Sequence, residues 1–146
     1  NPEAVACSSR EALQRCGMTF KKVEYIQDFA QQILAGTFDL EEVAQLPDDQ
    51  AIQRLCTLKG VGVWTAEMIL IFCLQRPDVV SFGDLAIQRG MRMLYHHRAI
   101  DCKRLQRYAR RYSPYGTVAS LYLWAIAGGA IPGMRDYAIK KGGNRR

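Results

Sequence analysis

Apolar positions in this chain recur every three or four residues along most of its length, and glycines, prolines and capping residues divide the runs. That period lays one face of an α-helix against a core, whereas a half-buried strand alternates every second residue. Arg10 to Cys16 reads as the end of a helix stopped at Gly17. Thr19 caps a helix to about Ala35, with Phe20, Val23, Ile26, Ala30, Ile33 and Leu34 as its stripe and Gly36 as its stop. A short helix from Leu40 to Gln45 follows, and Pro47-Asp48 opens another through Ile52, Leu55 and Cys56. An apolar helix then runs from Val63 to Gln75 and ends ahead of Pro77, with Cys73 inside it as a small core residue. Asp78 to Asp84 is extended, but Val79, Val80 and Phe82 are too few for a sheet, so the stretch reads as a loop. Asp84 caps a helix from Leu85 to Tyr95, and Asp101 caps one from Cys102 to Arg111 whose stripe is Leu105, Tyr108, Ala109 and Tyr112. Ser113-Pro114 starts the last long helix, which carries Val118, Leu121, Tyr122 and Trp124. The expected fold class is all-α, a compact bundle of roughly seven to nine helices with short connections.

The pattern breaks most sharply at Leu58-Lys59-Gly60-Val61-Gly62-Val63-Trp64-Thr65-Ala66. Gly60 and Gly62 permit a tight turn with positive φ and let another backbone come close. The helix beginning near Val63 points its first N–H groups and its positive end out of that turn, an arrangement that holds a phosphate without a cationic side chain. A plain turn between two packed helices uses the same residues, so the corner alone does not choose between structure and binding.

Composition narrows the choice. Of 146 residues, 49% are hydrophobic and 23% charged, which is a globular composition long enough to bury a core and not a disordered one. The net charge of +6 suits a polyanionic partner. Eight Lys or Arg residues lie between Arg89 and Arg111 against one acid, Asp101, and Lys140, Lys141, Arg145 and Arg146 form a second basic cluster. A solvated helix face accounts for either cluster equally well. The five cysteines, Cys7, Cys16, Cys56, Cys73 and Cys102, contain no C-x-x-C pair, and an odd count without metal spacing favours a reducing cytoplasm. The uncharged stretch between Arg111 and Arg135 is broken by Pro114, Gly116, Gly128-Gly129 and Pro132, so no membrane span is expected there. His96 and His97 have no partner at metal-ligand spacing and read as a solvated helix end.

Three blocks carry a resemblance. They are Leu58-Lys-Gly-Val-Gly-Val-Trp-Thr-Ala-Glu, then Asp78-Val-Val-Ser-Phe-Gly-Asp-Leu-Ala-Ile-Gln-Arg-Gly, then Tyr112-Ser-Pro-Tyr-Gly with the later Leu-Tyr-Leu-Trp124. In order and spacing the chain resembles the helix-hairpin-helix (HhH-GPD) DNA glycosylase superfamily, and within it the 3-methyladenine DNA glycosylase II branch, over roughly Cys16 to Gly128. The resemblance implies one glycosylase domain over residues 1–146 built around a helix-hairpin-helix motif. The family's preceding helical segment, which carries the wedge that enters the duplex after base flipping, is expected to be lacking before Cys16, where Asn1-Pro2-Glu3-Ala4 shows no convincing match, so either the chain is a truncated or processed piece or the wedge comes from elsewhere.

The same resemblance implies roles. Asp84 matches the essential aspartate, whose carboxylate would stabilise an oxocarbenium-like transition state or orient water, although it serves equally as a plain helix cap. Trp64, Trp124, Met68 and Tyr112 match or lie near the base pocket, where electron-rich rings attract a cationic alkylated purine; Met68 stands where some relatives carry tyrosine. For each tryptophan, core packing is the plain alternative. The backbone around Lys59, Gly60, Val61, Gly62, Trp64 and Thr65 would meet DNA phosphates. The carbonyls of Cys56, Leu58 and Val61 match those that hold a monovalent cation, Na+ or K+, in several relatives. Trp64 replaces the nucleophilic lysine of bifunctional relatives, and an indole forms no Schiff base, so the implied enzyme is monofunctional. No clustered cysteines match an iron–sulfur branch, and no cofactor is implied beyond the ion. The implied partner is double-stranded DNA containing alkylated bases, met by a monomer without a membrane, in the cytoplasm or on a bacterial nucleoid. Two other functions use the same residues: a non-catalytic helix-hairpin-helix module that binds DNA backbone, and a helical protein–protein adaptor.

Overall fold

A computed structural model describes residues 1–138, so the cluster Lys140, Lys141, Arg145 and Arg146 lies outside the described residues. Among these residues the chain is all-helical: α1 (Pro2–Cys7), α2 (Arg10–Gln14), α3 (Phe20–Leu34), α4 (Leu40–Gln45), α5 (Asp48–Leu55), α6 (Val63–Phe72), α7 (Leu85–Tyr95), α8 (Cys102–Tyr112) and α9 (Gly116–Ala127). They group into two compact units, residues 1–66 and residues 67 onward, with the division falling inside α6. No helix of the described residues is long and apolar enough to cross a membrane.

In the first unit the core is Val23, Ala30, Phe38, Val43, Ala51, Leu55, Leu58 and Ala66, all buried. Side-chain caps set the helix starts: Asn1 for α1, Ser9 for α2, Thr19 for α3 and Asp39 for α4. The stripe expected on α3 is only partly correct, because Val23 and Ala30 are buried while Phe20, Ile26 and Leu34 are exposed. Between the two buried residues stands Gln27, whose Nε2 donates to the Ser8 carbonyl at 2.8 Å. A polar residue that satisfies the end of α1 thus occupies a position that apolar periodicity assigns elsewhere.

In the second unit one cluster, Ile87, Met91, Ile100, Leu105 and Leu123, gathers side chains from α7, the connection after it, α8 and α9, with Val80, Leu94, Tyr95, Tyr108, Tyr112 and Trp124 packed on it. Helices α7 and α9 approach closely at Gly90, where an added Cβ would collide with the Leu123 carbonyl oxygen. The loop between α6 and α7 is sewn to the head of α9. Thr117 Oγ1 donates to the Arg76 carbonyl at 2.6 Å and accepts the Val79 N–H at 3.1 Å. Buried Ser120 donates to the Val79 carbonyl at 2.9 Å, and Asp78 accepts the Gly116 N–H at 2.9 Å. Asp136 draws the chain after α9 back to α7 through a forked pair with Arg92, at 2.7 and 2.6 Å.

Four sequence expectations change here. Helix α6 ends at Phe72 instead of Gln75, which takes left-handed φ of 53°, while the Arg76 N–H returns to the Leu70 carbonyl at 2.9 Å. Cys73 therefore falls beyond the helix and is exposed, not a core residue. The last helix starts at Gly116, because the Asp78 carboxylate, brought from a distant loop, takes the first N–H that Ser113 was expected to serve. On that helix Val118, Leu121 and Tyr122 are exposed, and Gly116, Ser120, Leu123, Ile126 and Ala127 are buried. A helix that is apolar on nearly every side carries no sequence signal for which face turns inward. Finally, His97 is not a solvated end: its Nε2 lies 2.8 Å from the Tyr108 hydroxyl, and burial, then Arg104 and His96, hold its pKa below the usual value.

Replacing Gly90 with alanine is expected to cost about 1–3 kcal/mol, because the collision is with backbone, which cannot rotate away. Urea unfolding should show a lower midpoint with an unchanged slope.

Candidate functional site

In the first unit the glycine corner is formed by α5, the turn after it, and the first turn of α6. Gly60 has a φ of +82°, and an added Cβ there would enter the ring of Tyr25, so glycine is required twice over. Gly62 differs from the sequence expectation, since its φ is not in the left-handed region and a Cβ on it would meet nothing within 4 Å. Its backbone lies bare on the surface without any demand from internal packing. The Leu58 carbonyl accepts the Val61 N–H at 3.1 Å, closing the turn, and the Ala66 N–H reaches the Gly62 carbonyl at 2.9 Å, opening α6. Helix α3 supports the corner through the Tyr25 ring and through Asp28, 3.4 Å from Lys59 Nζ. That ion pair is largely in solvent and contributes little to stability. Lys59, Gly60, Gly62 and Trp64 are exposed, and Val61, Thr65 and Cys56 are half-buried.

In the second unit the chemistry gathers on Asp84. Its side chain is 7% exposed and caps α7, with Oδ1 accepting the Ala86 and Ile87 N–H groups, both at 2.8 Å. The same oxygen accepts the Trp124 Nε1–H at 3.0 Å. Two backbone amides and one indole fix the carboxylate, and all three donate toward negative charge at the positive end of a helix. Trp124 is itself held by Phe72, whose ring stacks on it at 5.7 Å with an interplanar angle of 17°.

Sequence reasoning passed over four residues that shape this site: Phe72, Glu67, Ser81 and Asp78. Glu67 is half-buried, and its Oε2 accepts a bond from the Ser81 hydroxyl at 2.5 Å. Burial pushes the Glu67 pKa above the usual carboxylate range, the Ser81 bond works against that, and the charge of Asp84 adds to the rise. The signal was present, because Glu67 is the only charged residue in the apolar run of α6.

The residues that the resemblance assigned to a base pocket fall as follows. Met68 is half-buried on α6. Tyr112 sits in an aromatic column with Tyr95 and Tyr108, whose rings are 4.0 Å apart, and its hydroxyl donates to Tyr95 Oη at 3.0 Å. Burial, then the Tyr95 bond, pushes the Tyr112 phenol upward. Of the basic residues, Arg92 is committed to Asp136, Arg89 lies 3.9 Å from the same carboxylate, and Arg111 lies over the Tyr108 ring. Lys103, Arg107 and Arg110 form an exposed line on α8, opposite buried Leu105. Among the described residues no group of His, Cys, Asp and Glu is placed to hold a metal ion.

The chain belongs to the HhH-GPD superfamily of base excision DNA repair proteins, whose family model matches residues 1–114. That match starts at Asn1, ahead of the Cys16 start given by motif comparison, so the N-terminal residues do have a counterpart in the family. DNA-3-methyladenine glycosylase 1 of Schizosaccharomyces pombe is 34% identical over 125 residues, covering 84% of this chain and 55% of the relative. The crystal structure of a DNA-3-methyladenine glycosidase from Bacillus halodurans is similar at a TM-score of 0.78 and 38% identity, over 94% of this chain and 64% of that one. The Schizosaccharomyces pombe 3-methyladenine DNA glycosylase in complex with abasic DNA is similar at 0.75 and 31%, over 86% and 62%. The chain therefore spans about half the length of the curated relatives it matches.

Removing the Asp84 carboxylate separates its cap from its charge. Asp84→Ala is expected to lose about 1–3 kcal/mol, since it frees two amides and an indole N–H, whereas Asp84→Asn keeps an accepting oxygen and most of the stability. Thermal melting of the two variants beside the parent measures this.

Proposed function

We propose that this chain is a monofunctional DNA glycosylase that hydrolyses the N-glycosidic bond of an alkylated purine such as 3-methyladenine. The observation that carries this reading is the Asp84 carboxylate, buried and held by three N–H donors to a single oxygen. Its likeness to the glycosylases named above supports the class of reaction.

The chemistry follows from charge. The C1′–N bond breaks with its electron pair leaving on the base, water adds at C1′ and loses a proton, and an abasic sugar remains. Positive charge grows on the sugar meanwhile, and a pre-fixed carboxylate stabilises it without reorganising. The three donors keep Asp84 oriented. An alkylated purine already carries positive charge, so it leaves readily and is drawn to aromatic faces, the role assigned to Trp124, with Met68 and Tyr112 of the same unit assigned to its pocket. With Trp64 instead of lysine no Schiff base forms there, and strand cleavage through that position is not expected.

At the corner, the amides from Lys59 to Thr65 would face DNA phosphates, a role supported by the bare backbone of Gly62. The carbonyls of Cys56, Leu58 and Val61 are neutral oxygen donors of the kind a Na+ or K+ ion accepts, and a bound ion would add attraction for phosphate. The line Lys103, Arg107 and Arg110 supplies a second basic surface toward DNA. The partner is double-stranded DNA with an alkylated base, bound by a monomer in the cytoplasm.

The direct test is release of free base from methylated duplex DNA. The parent should liberate 3-methyladenine, and Asp84→Asn should bind the duplex equally well but release none; equal release by both would remove Asp84 from the chemistry. A joint Lys103→Gln, Arg107→Gln and Arg110→Gln change should lower the slope of log affinity against log salt by roughly 0.9 for each phosphate no longer neutralised. An unchanged slope in a fluorescence-anisotropy titration would place α8 away from DNA.

A further inference from the structure

Glu67 stands in a place that helix formation and packing do not explain. It is the one charged residue of α6, it is half-buried, and its carboxylate meets the hydroxyl of Ser81, a residue with no exposed surface. Ser81 lies three positions ahead of Asp84 in the loop that delivers Asp84 to the head of α7. The loop is tied again at Phe82, whose carbonyl accepts from Gln88 Nε2 at 2.6 Å. Glu67 thus grips the carrier of Asp84 from α6, while Trp124 grips Asp84 itself from α9. The polar groups acting on Glu67 are Ser81 from the loop and Asp84 from the start of α7, and the second of these repels its charge.

We propose that Glu67 is a positioning residue for Asp84, fixing the Ser81–Asp84 loop through the buried hydroxyl and, when ionised, adding its negative charge to the field in which the cationic sugar forms. This rests on the reading that Asp84 faces the reacting sugar. A carboxylate retained where burial disfavours its charge works against folding, and such sites are commonly kept for function. The Glu67 pKa is raised in the folded chain, so its contribution to stability is present below the unfolded-state pKa and is lost as pH rises through the folded one. Above the folded pKa the ionised side chain therefore costs stability, and its charge then stands beside the reaction.

Glu67→Gln keeps the shape and an accepting oxygen for Ser81 but removes the charge. Single-turnover release of 3-methyladenine from methylated duplex DNA should fall about tenfold at neutral pH, the size expected of one partly screened unit charge. The parent rate should also decline as pH drops through the raised Glu67 pKa, and Glu67→Gln should lack that decline. Its melting temperature should exceed the parent's at pH above the folded Glu67 pKa, and the difference should vanish below the unfolded-state one. Ser81→Ala, which keeps Glu67 and cuts the tie, should lower the rate without removing the acid decline. A parent-like rate and pH profile in Glu67→Gln, with Asp84→Asn inactive, would overturn the proposal and leave the glycosylase reading standing. Base release surviving in Asp84→Asn would overturn both.

Discussion

The second unit depends on one buried carboxylate oxygen. Asp84 Oδ1 receives two amides from the first turn of α7 and the indole N–H of α9, and no apolar residue could occupy that position without leaving three donors unsatisfied. The bond to Trp124 couples a local capping event to the packing of a helix forty residues later in the chain. Capping and candidate chemistry are therefore not competing accounts of Asp84. The donors that terminate the helix also orient the carboxylate.

Around that oxygen the loop from Arg76 to Asp84 is held by residues from both neighbouring directions of the sequence. Thr117, Ser120 and Gly116 fasten its beginning, and Glu67 fastens Ser81 near its end. A loop of this kind is ordered without secondary structure because its carbonyls and amides meet side chains in place of strand partners. Gly90 permits the close α7–α9 approach beneath it, so the aspartate and the indole sit on helices that pack almost backbone to backbone. The first unit solves a different problem. Its corner leans on Tyr25 of α3, and Gly62 leaves bare backbone on the outside, the feature expected of a surface that another chain's phosphates approach.

The helix boundaries were largely legible in the sequence. Thr19, Asp84 and Asp101 each stand one residue before the helix they cap, and each makes its cap bond. Gly36 follows α3 with positive φ, and Gly60 bends the corner as expected. Caps and stops are legible because the responsible residue lies within three or four positions of the group it satisfies. Asp84 was likewise found from its own neighbourhood and from its family block.

What the sequence could not supply is any bond between distant positions. The exposed face of α9, the exposure of Cys73, the commitment of Arg92 to Asp136, and the joining of Glu67 to Ser81 and of Phe72 to Trp124 came only from tertiary structure. In α6 and α9 nearly every position is apolar, so periodicity has no polar face to measure against, and only the neighbouring helices decide which side is buried. The sequence by itself determined where most of the helices start and which aspartate stands at the head of α7. The tertiary structure decided which groups surround that aspartate, because hydrogen bonds and ring contacts act over a few ångströms of space, whatever the separation along the chain.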